Sequence, residues 1–342
     1  MIKKIRIAVS LSGMARNFKQ CYKNTLEFFN IEDAEVDFFI HSWTNSWYPS
    51  RAKSVKKSPF TSTKLNSQNL YQELSEHYNP KKIIIEDQLT NLDLTKAIKS
   101  IRDNLLRDTS SKVIPSWLIK LLKENQTDKF LSSPLHLAQT YSISKSAGLV
   151  SEYSKENDIN YDLVFRFRFD NFMELKTKEY RTKIFKDMVC LMERDLRLSE
   201  KVKRFKRDHL FTAWTSVFGE LGFARNSVWI GDKIFACSGK DFCRFKQYFT
   251  TQLMRILTYN PSNKNTNHES PYFMPEALLG QFCIDSDFFS NSMGYLNLFS
   301  LVSYREYHLE LEQSFEALQL QYNKKERMNH DSTNGLFIEN DC

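Results

Sequence analysis

Glycine and proline are scarce in this chain, 9 and 8 among 342 residues. That excludes collagen-like and Pro/Gly low-complexity classes. No apolar run approaches the roughly 20 residues that a membrane-spanning helix needs. The start, Met1-Ile2-Lys3-Lys4-Ile5-Arg6, lacks a signal-peptide apolar core and a small-residue cleavage site. A cytoplasmic location is therefore expected. The six cysteines, at 21, 190, 237, 243, 283 and 342, form no Cys-x-x-Cys pair and have no regular spacing. They read as reduced, mostly buried thiols, not as a zinc site. What is present is globular: 41% hydrophobic residues, 26% charged residues and 27 phenylalanines. Such a chain can bury a sizeable core. The net charge of +7 suits a polyanionic partner, whether a phosphate-bearing ligand, a nucleic acid or an anionic membrane face. A plain surplus of surface lysine gives the same number.

The apolar pattern sets out an α/β order. Ile5 to Leu11 reads as a buried strand. Phe18, Cys21, Tyr22, Thr25, Phe28 and Phe29 recur at helical spacing. Val36 to Trp43 and Lys82 to Glu86 read as further strands, with a helix over 65–78 ended by Pro80. This β-α-β-α-β alternation predicts a parallel sheet flanked by helices. Residues 49–66 read as a loop and 93–133 as irregular helix. A long helix runs from 134 to about 155, and a strand covers 161–170. A short strand is expected at 188–192, a basic loop at 201–207 and a strand at 227–230. Helices at 241–258 and 275–283 follow. The expected organisation is a single catalytic domain over 1–322, with a donor-binding part at about 1–175 and an acceptor-side part at about 176–322. A polar tail occupies 323–342.

Four places carry candidate chemistry. On a strand over 161–170, Leu163, Phe165, Phe167 and Phe169 share one face, and Val164, Arg166, Arg168 and Asp170 share the other. Guanidinium forks match phosphate oxygens, and a carboxylate beside them can hold Mg²⁺ or Mn²⁺. The alternative is an ion-pair cluster of Arg166 or Arg168 with Asp170. After the first strand, Ser12-Gly13-Met14-Ala15-Arg16 offers a tight turn and a helix N-terminus for an anion, with Arg16 adding charge. An ordinary strand-to-helix turn has the same residues. Asp232, after Gly231, is a candidate base, metal ligand or acceptor contact, or a plain turn aspartate. Glu276, after Pro275, is the second candidate carboxylate, or a residue that complements a helix dipole. His41 reads as a hydrogen-bonded structural histidine.

The segments IAVSLSGMARNF, DFFIHSW, LAQTYSISKSAGLVSEY, YDLVFRFRFD, VWIGDKIFACSG and PEALLGQF occur in the order found in a group of bacterial and viral glycosyltransferases of surface polysaccharide synthesis. The chain resembles that group over about residues 5–285. The resemblance implies a Rossmann-like α/β domain of the GT-A type and a nucleotide-sugar donor. It also implies a glycan or lipid-linked glycan acceptor of lipopolysaccharide, O-antigen or capsule, and peripheral contact with the inner membrane face. It makes Ser12, Gly13, Arg16, Arg166 and Arg168 donor-phosphate residues, Asp170 the ligand of a divalent cation (Mn or Mg), and Asp232 and Glu276 the acceptor-side carboxylates. The GT-A Asp-x-Asp motif is only half filled, because the matching place reads Arg168-Phe169-Asp170.

Two other classes compete. A nucleic-acid-binding protein would suit the basic balance, but no long basic block and no RRM, KH or helix-turn-helix signature occurs. No nucleic-acid partner is therefore expected. A sulfotransferase would share the α/β sheet, yet residues 12–16 lack its Lys and Ser/Thr phosphate pair.

Overall fold

A computed structural model describes residues 4–15, 18–44, 67–88, 90–94, 96–97, 99–100, 135–173, 175–202, 208–212, 215–218, 227–230, 234–258, 279–280, 282–283, 286, 288–292 and 301–303. The chain divides into two units, Met1–Ser303 and Tyr304–Cys342. Every described residue lies in the first, so the expected tail at 323–342 lies outside the described residues.

The described elements run β1 (Ile5–Met14), α1 (Phe18–Phe29), β2 (Ala34–Trp43), α2 (Ser67–Tyr78), β3 (Lys82–Glu86), α3 (Leu135–Asn157), β4 (Leu163–Phe167) and β5 (Asn171–Met173). They continue with α4 (Lys178–Val202), β6 (Asp208–Thr212), β7 (Thr215–Phe218), β8 (Ser227–Ile230) and β9 (Ile234–Cys237). Helical turns over Gly239–Gln247 lead into α5 (Tyr248–Thr258), and β10 (Phe288–Ser292) and β11 (Leu301–Ser303) follow. Seven strands form one sheet in the order β10-β6-β9-β4-β1-β2-β3. The pairs β1–β2, β2–β3, β1–β4 and β6–β10 are parallel. Only β9 runs against its neighbours β4 and β6. The fold is α/β, a mostly parallel Rossmann-type sheet flanked by helices, as the alternation of elements predicts.

Alternation along each strand builds two cores. Ile7, Val9 and Leu11 of β1, with Leu163, Phe165 and Phe167 of β4, face α1, α2 and α4 and meet Phe28, Phe29, Leu74 and Phe185. Phe29 packs edge-on to Phe165 and Phe167, with centroids 5.1 and 5.6 Å apart. Ala8, Phe39, Val164 and Phe235 face the other way, onto Ile143, Ala147 and Val150 of α3. Phe242, Phe245 and Tyr248 complete that second core. α3 is therefore covered on two sides, which is why it lacks a single apolar stripe. Gly239 sits where a Cβ would stand 2.7 Å from the Tyr161 carbonyl oxygen. Glycine is required for that close approach.

Two expectations are corrected. Residues 188–192 are not a strand but the middle of α4. There Ile184, Phe185, Met188, Val189 and Met192 recur at helical spacing against the first core. The strand expected over 161–170 ends at Phe167, and residues 168–170 turn, with the Asn171 N–H donating to the Arg168 carbonyl at 3.2 Å. The strand expected at 227–230 is present and pairs with β7 in a two-stranded sheet. Of the expected basic loop at 201–207, residues 201–202 close α4 and the rest lie outside the described residues.

Candidate functional site

The connections set where a ligand can enter. α1 and α2, which lead from β1 to β2 and from β2 to β3, lie on one face of the sheet, whereas α3, which leads to β4, lies on the other. With the order β3-β2-β1-β4, the chain reverses its direction of travel between β1 and β4. That reversal is the topological switch point, and the crevice beyond the carboxyl ends of these two strands is where open α/β sheets bind ligands.

The register opens that crevice. β1 and β4 pair from Ile7↔Leu163 to Leu11↔Phe167. β1 then continues beside β2 to Met14↔Trp43. Ser12, Gly13 and Met14 thus outrun β4 at the switch point. Gly13 has φ +115°, a region that L side chains rarely adopt, and a Cβ there would meet nothing within 4 Å. Backbone conformation, not crowding, requires this glycine. Beneath the turn, the buried Arg166 donates from Nε to the Ser12 Oγ at 3.0 Å. That bond helps to hold Ser12 in place.

Arg168 and Asp170 have left the strand and bind each other. Arg168 Nε donates to Oδ1 at 2.8 Å and Nη2 to Oδ2 at 2.6 Å. The side chains are 15% and 5% exposed. Of the three charged residues, Arg168 keeps the most contact with solvent. Asn24 of α1 anchors the far side of the turn: its amide donates to the Met173 carbonyl and accepts from the Met173 N–H, both at 2.7 Å. Nothing in the sequence pattern marked Asn24, which occupies a buried helical position among aromatic residues.

Asp170 is the sole carboxylate of the half-filled Asp-x-Asp motif, and Arg168 holds both of its oxygens. Among the described residues no group of three or more His, Cys, Asp or Glu side chains gathers to hold a metal ion. Asp170 also bears on Cys21, whose thiol is pushed up to about 12, first by burial and then by the carboxylate's charge. Arg16, Asp232 and Glu276 lie outside the described residues.

No protein-family model matches the chain, and no curated protein matches it. Among solved structures the chain is similar to mouse xyloside xylosyltransferase 1 in its apo form, with a TM-score of 0.29 and 8% identity over 84% of each chain. Among the described residues no helix is long and apolar enough to cross a membrane.

His41, one strand away from Ser12 in register, is the structural residue that the sequence suggests. Its Nδ1 lies 2.7 Å from the Ser142 Oγ and its Nε2 lies 2.7 Å from Glu86 Oε2. Burial holds the ring below the ordinary imidazole range, against the opposing effect of its hydrogen bond to Glu86. The neutral ring then donates from Nε2 to the carboxylate and accepts the Ser142 hydroxyl at Nδ1. Burial pushes Glu86 up, but the His41 hydrogen bond and the charges around it outweigh burial and hold the carboxyl below its usual range. A Ser-His-Glu chain has the atoms of a nucleophilic triad. Here both Ser142 and His41 are fully buried, so no substrate carbonyl reaches the hydroxyl. The chain ties α3 to β2 and β3.

Proposed function

We propose that the protein is a glycosyltransferase that moves a sugar from a nucleotide-sugar donor to a growing surface glycan, of lipopolysaccharide, O-antigen or capsule type. One observation carries this reading. At the switch point β1 outruns β4; its end bears a positive-φ glycine and a fixed serine, and the turn that follows β4 carries a partly exposed guanidinium, that of Arg168. That is the equipment for an anionic leaving group at the carboxyl edge of the sheet. The order of the sequence segments points to the same family.

In the proposed reaction the bond between the anomeric carbon and the donor phosphate oxygen breaks, and the electron pair leaves with the diphosphate. Arg168 and the basic residue Arg16 stabilise that charge, and the Ser12-Gly13 turn brings backbone N–H groups close to it. Arg166 holds Ser12 in position. The acceptor hydroxyl forms the new bond and gives its proton to Asp232. Asp232 stands two residues before Ile234, which opens β9 opposite Phe167, and that short span supports the choice. Glu276 is the next carboxylate to test. The net charge of +7 suits contact with the anionic inner face of a membrane, where lipid-linked acceptors are built.

The test is a melting-temperature panel with UDP-, GDP-, CMP- and dTDP-linked sugars, with and without Mn²⁺. At least one donor should raise the melting temperature of the wild type. No shift with any donor would overturn the reading. With the active donor in hand, Asp232→Asn should cut turnover sharply and leave donor affinity nearly intact. Near-normal turnover would remove Asp232 from the role.

A further inference from the structure

A cavity of about 540 Å³ opens between the helical residues at 92–94, 96–97 and 99–100, α3 and the stretch that runs into α5. The volume falls within the usual range for a small-ligand site. Three lysines from three separate elements line it, Lys96, Lys145 and Lys246, against one lining carboxylate, Asp93, and the Lys246 ammonium donates to the Ser151 Oγ at its margin, at 3.2 Å. Its aromatic side is fixed. The Tyr141 and Phe249 rings meet edge to face with centroids 5.1 Å apart, and the Phe249 N–H donates to the Ser144 Oγ at 2.8 Å. The Lys145 ammonium rests 5.1 Å from the Tyr141 ring centroid. Behind the floor, the Tyr141 hydroxyl donates to Glu86 Oε1 at 3.3 Å and accepts from Asn91 at 3.0 Å.

The cavity shares the switch point's edge of the sheet. Tyr141 packs on Trp43 and His41, with centroids 5.4 and 5.9 Å away. These two residues stand in register with Met14 and Ser12 at the end of β1. One strand, β2, separates the two places.

We propose that this cavity binds an anionic saccharide, a sugar unit bearing a carboxylate or a phosphate, and so selects a negatively charged acceptor. The acceptor role rests on the transferase reading; the binding itself does not. Rings and lining hydroxyls suit a pyranose, since its axial C–H face is apolar and its edge is polar. The surplus of lysines over carboxylates in the lining selects the charge. A cavity of this volume admits one or two sugar units. It offers no basic stripe along which a nucleic-acid backbone could run.

The experiment is calorimetric titration of the full chain with three oligosaccharides of equal length: one with uronate units, one phosphorylated and one neutral. A short single-stranded RNA is a fourth ligand. Lys96→Ala/Lys246→Ala is compared with the wild type; both side chains are exposed, and an unchanged melting temperature verifies the fold. An anionic saccharide should bind at least about tenfold tighter than the neutral one, and the double variant should lose that margin. The margin should also shrink as salt rises. Preference for the uronate or for the phosphate identifies which anion the cavity takes. Equal affinity for charged and neutral sugars overturns the proposal, as does a margin that survives in the double variant. RNA that binds tighter than any sugar with the same lysine dependence also overturns it. Donor binding, read by melting temperature, separates the two failures. If no donor binds yet the anionic sugar does, the transferase reading falls and the saccharide site stands. If a donor binds and the anionic sugar shows no margin, the site falls and the transferase reading stands.

Discussion

Arg168 and Asp170 offer a direct way to separate a structural ion pair from a ligand site. The pair is bidentate, at 2.8 and 2.6 Å, with side chains 15% and 5% exposed. Arg168→Ala removes the bidentate partner of a nearly buried carboxylate, and Asp170→Ala removes that of a mostly buried guanidinium. Removing one partner of such a pair costs about 3–5 kcal/mol, whereas removing both is far milder. At about 2 °C per kcal/mol for a unit of this size, each single variant should melt about 6–10 °C below the wild type. The double variant should recover much of that loss. Turnover should behave otherwise. If Arg168 meets the leaving diphosphate, its loss removes a charge-assisted contact of about 1.5–3 kcal/mol, or roughly ten- to a hundredfold. Restoring stability does not return that contact. The assay is a double-mutant cycle read twice, by denaturant unfolding and by sugar transfer. A double variant that regains both stability and turnover would refute a phosphate role for Arg168. Single variants that melt with the wild type would refute the buried-pair reasoning.

Stability should decline as the pH drops below about 6.5, because the unfolded chain then takes a proton that buried His41 refuses. Below about pH 4.5, Glu86, held low in the fold, adds a loss of the same sign. His41→Gln should flatten the upper part of that profile, and identical slopes for variant and wild type between pH 7 and 5 would count against the account. Arg181→Ala should lower stability by about 2–3 kcal/mol. The buried guanidinium of Arg181 donates to the Glu27 and Asn30 carbonyls at 2.8 and 3.2 Å, where α1 runs out of hydrogen-bond partners. Gly13→Ala should cost about 1–3 kcal/mol of backbone strain and weaken donor binding more than it weakens the fold. A melting temperature equal to the wild type's would show that the φ of +115° is not needed.

Local patterning made much of the framework legible. Local apolar patterning announced β1, α1, β2, α2, β3, α3 and the helical stretch over 241–258, and the repeat is clearest in β1 and α1, where one or both faces are buried. The 188–192 misreading has the same origin. Five apolar residues in a row pass for a short strand, and only the aromatic cluster around Phe185 shows that Met188, Val189 and Met192 lie on one stripe of a helix, with Cys190 and Leu191 exposed. The alternation of Leu163, Phe165 and Phe167 against Val164 and Arg166 held because both faces of β4 are covered by helices. It failed from Arg168 onward, where the chain turns and the period of two no longer governs direction.

The sequence by itself determined the α/β class, the two-faced strands and the residues at the end of β1, because these follow from short-range periodicity and backbone limits on glycine. Tertiary structure alone decided which residues share a place. Ser12 and Arg166 are 154 positions apart, and Asn24 and Met173 are 149 apart. His41, Glu86 and Ser142 come from two strands and a helix. The three cavity lysines come from three segments. Such encounters depend on strand order, on the reversal of β9 and on the face to which each crossover helix is assigned, and no local spacing encodes them.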